Sequence, residues 1–286
     1  MDLVKLDFIT PGSPSNGANL PPDNSGEVIA WHKAIEQSGR PMRLDISWKL
    51  DRTPQYYSIW KSNADSMRTD QDINNGGAST LVAWDTVQRA IDNYRQYIVL
   101  QVPDAASTPL SIYPDMDNLL IGNPASVSGV SDIQRRTIMT HWIGAAANLI
   151  VGSDLTNLDA FGVSLLTDSE ALSVADFTAK YPMQPRNPGT GQGGAQQLQA
   201  WISGPSPDKK EAIVILANYG PDQGQGGFGT SLSGNQTVTA TWTDLGLTGT
   251  YSVTNVWAHQ GLGRENKKVQ AVLAEGESVL LRLTRS

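Results

Sequence analysis

The chain has no cysteine among its 286 residues, which excludes disulfides and thiolate metal sites. It has only three histidines, His32, His141 and His259, too scattered for any metal-ligand spacing. No apolar run approaches a membrane span, and the N-terminus lacks the basic and apolar regions of a signal peptide. The 28 acidic residues outnumber the 21 Lys and Arg, for a formal net charge of −7. A basic footprint for nucleic acid or an acidic membrane is therefore missing. No G-x-S-x-G elbow exists to anchor Ser-His-Asp chemistry. The run from Gly189 to Gly194 spells G-x-G-x-x-G, but it follows a Pro-rich stretch and opens no helix, so it reads as linker. Asp70-x-Asp72-x-Asn74 begins like a calcium loop, yet Asn75 stands where that loop needs Gly and Leu81 where it needs Glu.

What is present is an alternation of strand and helix signals. Asp2 to Ile9 reads with a period of two: Val4, Leu6 and Phe8 point one way, Lys5 and Asp7 the other. Thr10-Pro11-Gly12-Ser13-Pro14 breaks it at once. Asn24-Ser25 can cap a helix that Gly39 closes, and Arg43 to Trp48 repeats the strand pattern. A short aromatic helix follows over Tyr56 to Lys61, then a third, polar strand near Ser62 to Met67. Ser79 predicts a helix start, with Val82, Val87, Ile91 and Tyr94 on one face. Ile98 to Val102 reads as a fourth strand, followed by a long loop to Gly129. Ser131 and Gln134 make a capping box for a helix ending near Ala147, Leu149 to Val151 reads as a fifth strand, and helices fill Asp159 to Lys180.

Such alternation predicts parallel βα units. Polar residues recur at the strand C-terminal ends, where α/β barrels carry their catalytic side chains. The expected fold class is α/β: an incomplete (β/α)8 TIM-type barrel, shorter than the ~250 residues of a complete one, followed by a C-terminal antiparallel β-sandwich. The expected boundaries are residues 1–181 for the partial barrel and catalytic domain, 182–194 for a Pro/Gly/Gln linker, and 195–286 for the sandwich. Strands are expected there over Gln197–Ile202, Ala212–Asn218, Thr237–Trp242, Thr250–Trp257, Lys268–Leu273 and Ser278–Leu283. This second part has no obvious acid pair and reads as an accessory domain.

The chemistry left to the sequence is that of carboxylates at strand ends: Asp7, Asp45, Asp72, Asp115 and Asp154. Two carboxylates across a barrel mouth meet the requirement of glycoside hydrolysis. Lys5, two residues before Asp7, can hold that carboxylate ionised, as a nucleophile needs. The plain alternative is a structural ion pair at a strand end.

Several motifs occur in a fixed order: Lys5-Leu6-Asp7, Gly39-Arg40-Pro41, Trp48, Ser66 to Ile73, Pro114-Asp115-Met116 with Ile121-Gly122-Asn123, and Gly152-Ser153-Asp154-Leu155. Together they resemble glycoside hydrolase family 27, the α-galactosidase and α-N-acetylgalactosaminidase group. Asp244 to Leu247, Val256 to His259 and Leu280 to Leu283 look like that family's C-terminal β domain. The resemblance implies that Asp7 is the nucleophile and Asp72 the acid/base of a retaining reaction through a covalent glycosyl-aspartate. It implies a sugar site lined by Lys5, Asp45, Ser47, Trp48, Arg68, Asp115 and Met116, with no cofactor or metal. Asp70 is the alternative to Asp72 if the register is shifted.

Three departures qualify that picture. Ser47 replaces the Glu that α-galactosidases carry before the strand-end Trp; in the family a serine there leaves room for a 2-acetamido group. Tyr113 replaces an acidic residue, and two extra residues separate Met116 from Ile121-Gly122-Asn123. Barrel strands that would grip the sugar before Lys5-Leu6-Asp7 are absent, so the isolated chain is expected to be inactive or weak. The expected partner is an oligosaccharide or glycoside substrate, with no nucleic acid and no membrane, and the resemblance implies secretion. Asn235-Gln236-Thr237 is a glycosylation sequon if the chain is secreted. The other reading is a non-catalytic or degenerate carbohydrate-binding protein on the same scaffold.

Overall fold

A computed structural model describes residues 2–12, 19–101, 110–186 and 194–285. Four short parallel strands lie side by side in chain order: β1 (Leu3–Leu6), β2 (Arg43–Ile46), β3 (Ser66–Arg68) and β4 (Tyr113–Asp115). Lys5 stands opposite Asp45, Asp45 opposite Ser66, and Arg68 opposite Asp115. The period of two therefore sorts the sheet into two faces. Leu44, Ile46 and Met67 go to a buried apolar face, and the Lys, Asp, Ser and Arg side chains share the other.

Helices connect the strands: α1 (Ser25–Ser38), α2 (Pro54–Asn63) and α3 (Trp84–Gln101). Gly39 closes α1 in the left-handed conformation, as expected of glycine at that place. Asn24 is the N-cap residue, but its Oδ1 accepts instead from the Thr10 N–H at 2.6 Å, which ties the helix start to the loop after β1. Pro54 opens α2, where its missing N–H costs nothing.

The expected strand Ile98–Val102 is not one. Ile98 to Gln101 form the last turn of α3, and Val102 lies outside the described residues. Buried Val87, Ala90, Ile91, Tyr94 and Ile98 keep a helical spacing, so tertiary packing overrides the β-branched Ile-Val pair. The helix also starts later than Ser79, because Val82 forms a β-bridge with Asn74. Strand β4 sits inside the stretch read as loop. Its central Pro114 removes a ladder donor, so the stretch carries a weak strand signal. The fifth strand, Leu149–Val151, is reduced to one parallel bridge between Val151 and Leu119, with the Leu119 N–H donating to the Ile150 carbonyl at 2.7 Å.

Beyond β4 come α4 (Ala125–Ser128), α5 (Asp132–Gly144), α6 (Ala160–Thr167) and α7 (Ser169–Thr178). The Ser131/Gln134 capping box forms in full at the start of α5. Asp159 and Asp168 cap α6 and α7 through their side chains.

The C-terminal part is antiparallel. A six-stranded sheet runs in the order β10-β9-β12-β7-β6-β5, where β5 is Gln184–Pro185, β6 Leu198–Ser203, β7 Glu211–Asn218, β9 Tyr251–Asn255, β10 Gln260–Glu265 and β12 Glu277–Arg285. A two-stranded sheet of β8 (Gln236–Thr241) and β11 (Lys268–Leu273) completes the sandwich, with a helical turn α8 (Trp242–Leu245) after β8. Two of these strands escape the sequence pattern. β5 lies in the stretch read as linker, and β10 is polar, Gly-bearing and exposed, so it carries no alternation. Most of the G-x-G-x-x-G run, residues 189–193, lies outside the described residues.

β7 joins the two parts. Ala212, Val214 and Leu216 face the sandwich core with Val238, Ala240 and Trp242. Ile213, Ile215 and Ala217 face the other way, into the core that holds Trp142 of α5 and Tyr94 of α3. Each large apolar side chain buried there contributes roughly 1.5–3 kcal/mol. In the parallel sheet β1 is an edge strand among the described residues. Leu3 and Phe8 are exposed there and pair with no further strand among the described residues.

Candidate active site

Continuing the sheet register by one residue places two polar rows across the inner face. Lys5, Asp45 and Ser66 form the first row, and Asp7, Ser47, Arg68 and Asp115 the second. The Lys5 ammonium crosses from the first row to the far strand, giving a hydrogen bond to Asp115 Oδ2 at 2.9 Å and standing 3.6 Å from Asp45 Oδ2. In a flat sheet β1 and β4 would be about 14 Å apart. A contact between their side chains requires the strands to curl as they do in a barrel wall.

Electrostatics divides these groups. Burial works against the Lys5 charge, but Asp115 and Asp45 outweigh it and hold the ammonium above its ordinary value. Burial also works against the Asp115 charge, yet Lys5 and Arg68 hold that carboxyl below its usual range. Asp45 goes the other way: burial and the neighbouring Asp115 push it up to about 7. Arg68, buried, donates from Nη2 to Asp72 at 2.9 Å and to Asp117 at 3.0 Å. Desolvation opposes its charge, and Asp117, Asp115 and Asp72 more than restore it.

Asp7 stands just past β1, exposed, with no hydrogen bond or ion pair among the described residues. Phe8 follows in a left-handed conformation, φ 64°, with its ring 4.8 Å from that of Trp48, itself at φ 123°. Such strained backbone at a strand end is the kind of device found where side chains must be aimed. Asp72, on the turn after β3, is 59% exposed. Ser47, just past β2, and Met116, just past β4, are buried. The structure thus brings Lys5, Asp7, Ser47, Trp48, Arg68, Asp72, Asp115 and Met116 to one end of one sheet. Asp45 is 0% exposed, so any part it plays passes through Lys5 and Asp115 rather than through direct contact.

Two other carboxylates do different work. Asp154 is turned to its own loop, accepting from Thr156 N–H at 2.9 Å and Oγ1 at 2.7 Å. Asp70 is buried and accepts from Arg89 Nε at 2.8 Å and Asn93 Nδ2 at 3.0 Å. Of the two aspartates in Asp70-Gln71-Asp72, only Asp72 is open to a ligand. The Ile121-Gly122-Asn123 and Gly152-Ser153-Asp154 motifs interlock: Gly122 N–H donates to Ser153 Oγ at 2.8 Å, and Asn123 Nδ2 to the Asp154 carbonyl at 2.9 Å.

Asp117 was not legible as a site residue. It lies directly after Met116, at φ 77°, and its Oδ2 accepts from Arg68 at 3.0 Å and from the Ile73 N–H at 2.9 Å. Its only sequence signal is a second acid beside Pro114-Asp115-Met116. Among the described residues no three His, Asp or Glu side chains are placed to hold a metal ion.

Comparison with known proteins now gives this geometry a family. A family model described as Alpha galactosidase A matches residues 20–176, and one described as Alpha galactosidase C-terminal beta sandwich domain matches residues 195–283. The chain belongs to the α-galactosidase family. It is 55% identical to Alpha-galactosidase 3 of Hypocrea jecorina over its whole length, covering 45% of that protein. It is 45% identical to Putative alpha-galactosidase 8 of Emericella nidulans, with 86% of this chain and 49% of that protein aligned. The chain therefore spans about half the length of these curated relatives. Among solved structures it superposes on alpha-galactosidase I from Mortierella vinacea with a TM-score of 0.68 at 18% identity, covering all of this chain and 69% of that one. A GH27 β-L-arabinopyranosidase from Geobacillus stearothermophilus gives a TM-score of 0.74 at 20% identity, with 58% of that chain covered. These likenesses establish the fold: part of a (β/α) barrel wall followed by a β-sandwich.

Proposed function

We propose that this chain carries the catalytic carboxyls of a retaining glycoside hydrolase that removes terminal α-linked galactose, or a related sugar, from oligosaccharides. Residues 1–181 supply the chemistry and 195–286 support, and 182–194 join them while lending β5 to the sandwich sheet. Asp7 attacks the anomeric carbon and Asp72 protonates the leaving oxygen; Asp72 then activates the water that releases the sugar. Lys5, Arg68, Asp115 and Ser47 line the sugar's place, and Trp48 with Phe8 forms an apolar rim. One observation carries the reading: an unpartnered carboxylate, Asp7, and an exposed one, Asp72, stand at the same sheet end with a single strand between theirs. Backbones two strands apart lie about 10 Å from each other, close enough for side chains leaning inward to reach the roughly 5–5.5 Å of a retaining pair.

A second reading, sugar binding without turnover, is favoured by the Arg68–Asp72 ion pair, which Asp72 must leave to reach a leaving oxygen. Hydrolysis of p-nitrophenyl α-D-galactoside and its 2-acetamido analogue separates them. The assay is run on this chain and on a version extended upstream, because β1 is an end strand of the sheet among the described residues. Turnover abolished in Asp7→Asn supports the hydrolase. Sugar binding with no turnover in either version supports the alternative. Secretion, also proposed here, is tested by locating the protein in culture fractions.

A further inference from the structure

Asp45 lies in the middle of the parallel sheet with every side-chain atom out of water. Its Oδ1 accepts from Ser66 Oγ at 2.6 Å, and Ser66 Oγ in turn accepts from Asn148 Nδ2 at 3.0 Å. Its Oδ2 is buried and has no hydrogen-bond partner. Across the site Asp115, equally buried, fills both its oxygens, taking Lys5 on Oδ2 and the Asp117 N–H on Oδ1 at 2.8 Å. Two buried carboxyls thus face one ammonium. The other cation nearby, Arg68, is committed to Asp72 and Asp117. Two like charges cannot both persist out of water with one counter-ion between them.

We propose that Asp45 is a proton-holding positioning residue: its carboxyl stays neutral in the working site and shares its proton with Asp115, so that one ammonium, Lys5, serves both. The orphaned Oδ2 is the atom that holds that proton, and Asp115 is the acceptor within its reach. Opposite shifts of the two carboxyls agree with this division, Asp45 upward and Asp115 downward. The charged groups acting on Asp45 are Lys5 from β1 and Asp115 from β4, and Arg68 from β3 acts in turn on Asp115. Losing the proton leaves two anions competing for Lys5 and unsettles the row that includes Asp7. The alkaline limit of the site is then set by Asp45, not by the acid/base. The protonation claim stands on geometry; only its consequence for hydrolysis rests on the proposed function.

The test begins with the carboxyl stretch of the unaltered chain, followed by infrared difference spectroscopy from about pH 5 to about pH 9. The expected result is one neutral buried carboxyl that ionises near neutrality. Asp45→Asn, which keeps the shape and a donor toward Asp115, should lose that band, and its unfolding free energy should stay level where that of the unaltered chain falls. In the hydrolytically active form, kcat/KM of the unaltered protein should fall tenfold per pH unit on the alkaline side, as for loss of a single proton, and in Asp45→Asn that limb should move to the position set by the acid/base alone. Absence of a neutral carboxyl at pH 5–6, or its persistence in Asp45→Asn, overturns the proposal. The spectroscopic result with no turnover of any α-galactoside would leave the Asp45 assignment intact and remove the hydrolase reading alone.

Discussion

Arg89 donates from Nη2 to the main-chain carbonyl of Asp72 at 2.8 Å, while its Nε holds the buried Asp70 carboxylate at 2.8 Å. Its Nη1 reaches Gln225 in the sandwich at 3.0 Å, and Gln225 is itself fixed to Asp85 at 2.6 Å. One guanidinium on α3 thereby ties the turn bearing Asp72 to a loop over a hundred residues downstream. Arg89→Met should cost about 2–4 kcal/mol, because it leaves Asp70 buried and short of a counter-ion. It should also raise amide exchange over residues 69–77 without loosening β3 and β4. Gln225→Ala should raise exchange over 69–77 by less and keep the stability within about 1 kcal/mol. Unchanged exchange there in Arg89→Met would show that the turn holds its own shape.

That network explains which parts of the site could be read in advance. Lys5, Asp7, Ser47 and Arg68 alternate along their strands, and alternation is a local signal that survives without the fold. The capping box at Ser131 and the glycine stop at Gly39 are local as well. Asp117, Arg89 and Asn93 carry no local signature, since their roles depend on which loop comes to rest against which helix. The same holds for β4 and β10: one is a strand only because β3 offers it a ladder, and the other is an exposed hairpin partner. The boundary between α3 and a strand failed for a physical reason too. Ile98 and Val99 prefer strands in isolation, and burial of the helical face overrode that preference.

His141 on α5 is buried among Tyr94, Trp201 and Tyr219, with Nδ1 3.4 Å from the Tyr219 hydroxyl and Nε2 without a partner. Desolvation lowers it to about 3, so it is neutral in the folded protein. Unfolding lets it take up a proton below its ordinary value of about 6.5. Its contribution to stability is therefore present above that pH and lost as pH falls toward the folded value. His141→Phe removes the unpaired nitrogen and the proton uptake. Denaturant melts should find it near the parent at neutral pH and roughly 2–4 kcal/mol ahead of the parent near pH 4. Parallel pH curves for the two proteins would rule this out.

His259, in the turn between β9 and β10, works in the opposite sense. It stands 2.9 Å from Glu170 and 3.0 Å from Asp168, both at the start of α7. The Glu170 hydrogen bond and the Asp168 charge raise its proton affinity. The clasp between sandwich and helix is then complete below the ordinary histidine range and lost as pH rises through the raised value. His259→Gln should remove this dependence and change little else, because the group is exposed and screened by solvent. Amide exchange in the first turn of α7, compared on the two sides of neutrality, checks it: the parent should open on the alkaline side and the variant should not.

The α6 helix rests on a pair of glycines. A Cβ on Gly162 would collide with the Gly122 carbonyl, and a Cβ on Gly122 would meet Leu158 Cδ2 at 2.6 Å. Both glycines are therefore required by close approach rather than by backbone conformation. The Asp159 side chain sits at the same joint, capping α6 through Gly162 N–H and taking two bonds from buried Arg135 at 2.9 and 2.6 Å. Gly162→Ala must push the helix off the Ile121-Gly122-Asn123 turn and break this alignment, at a cost of about 2–4 kcal/mol. Leu158 is a side chain and can swing aside, so Gly122→Ala should cost less, about 1–2 kcal/mol. Thermal melts of the two variants should rank in that order. The reverse order would mean that the α6 backbone yields more readily than the Leu158 side chain.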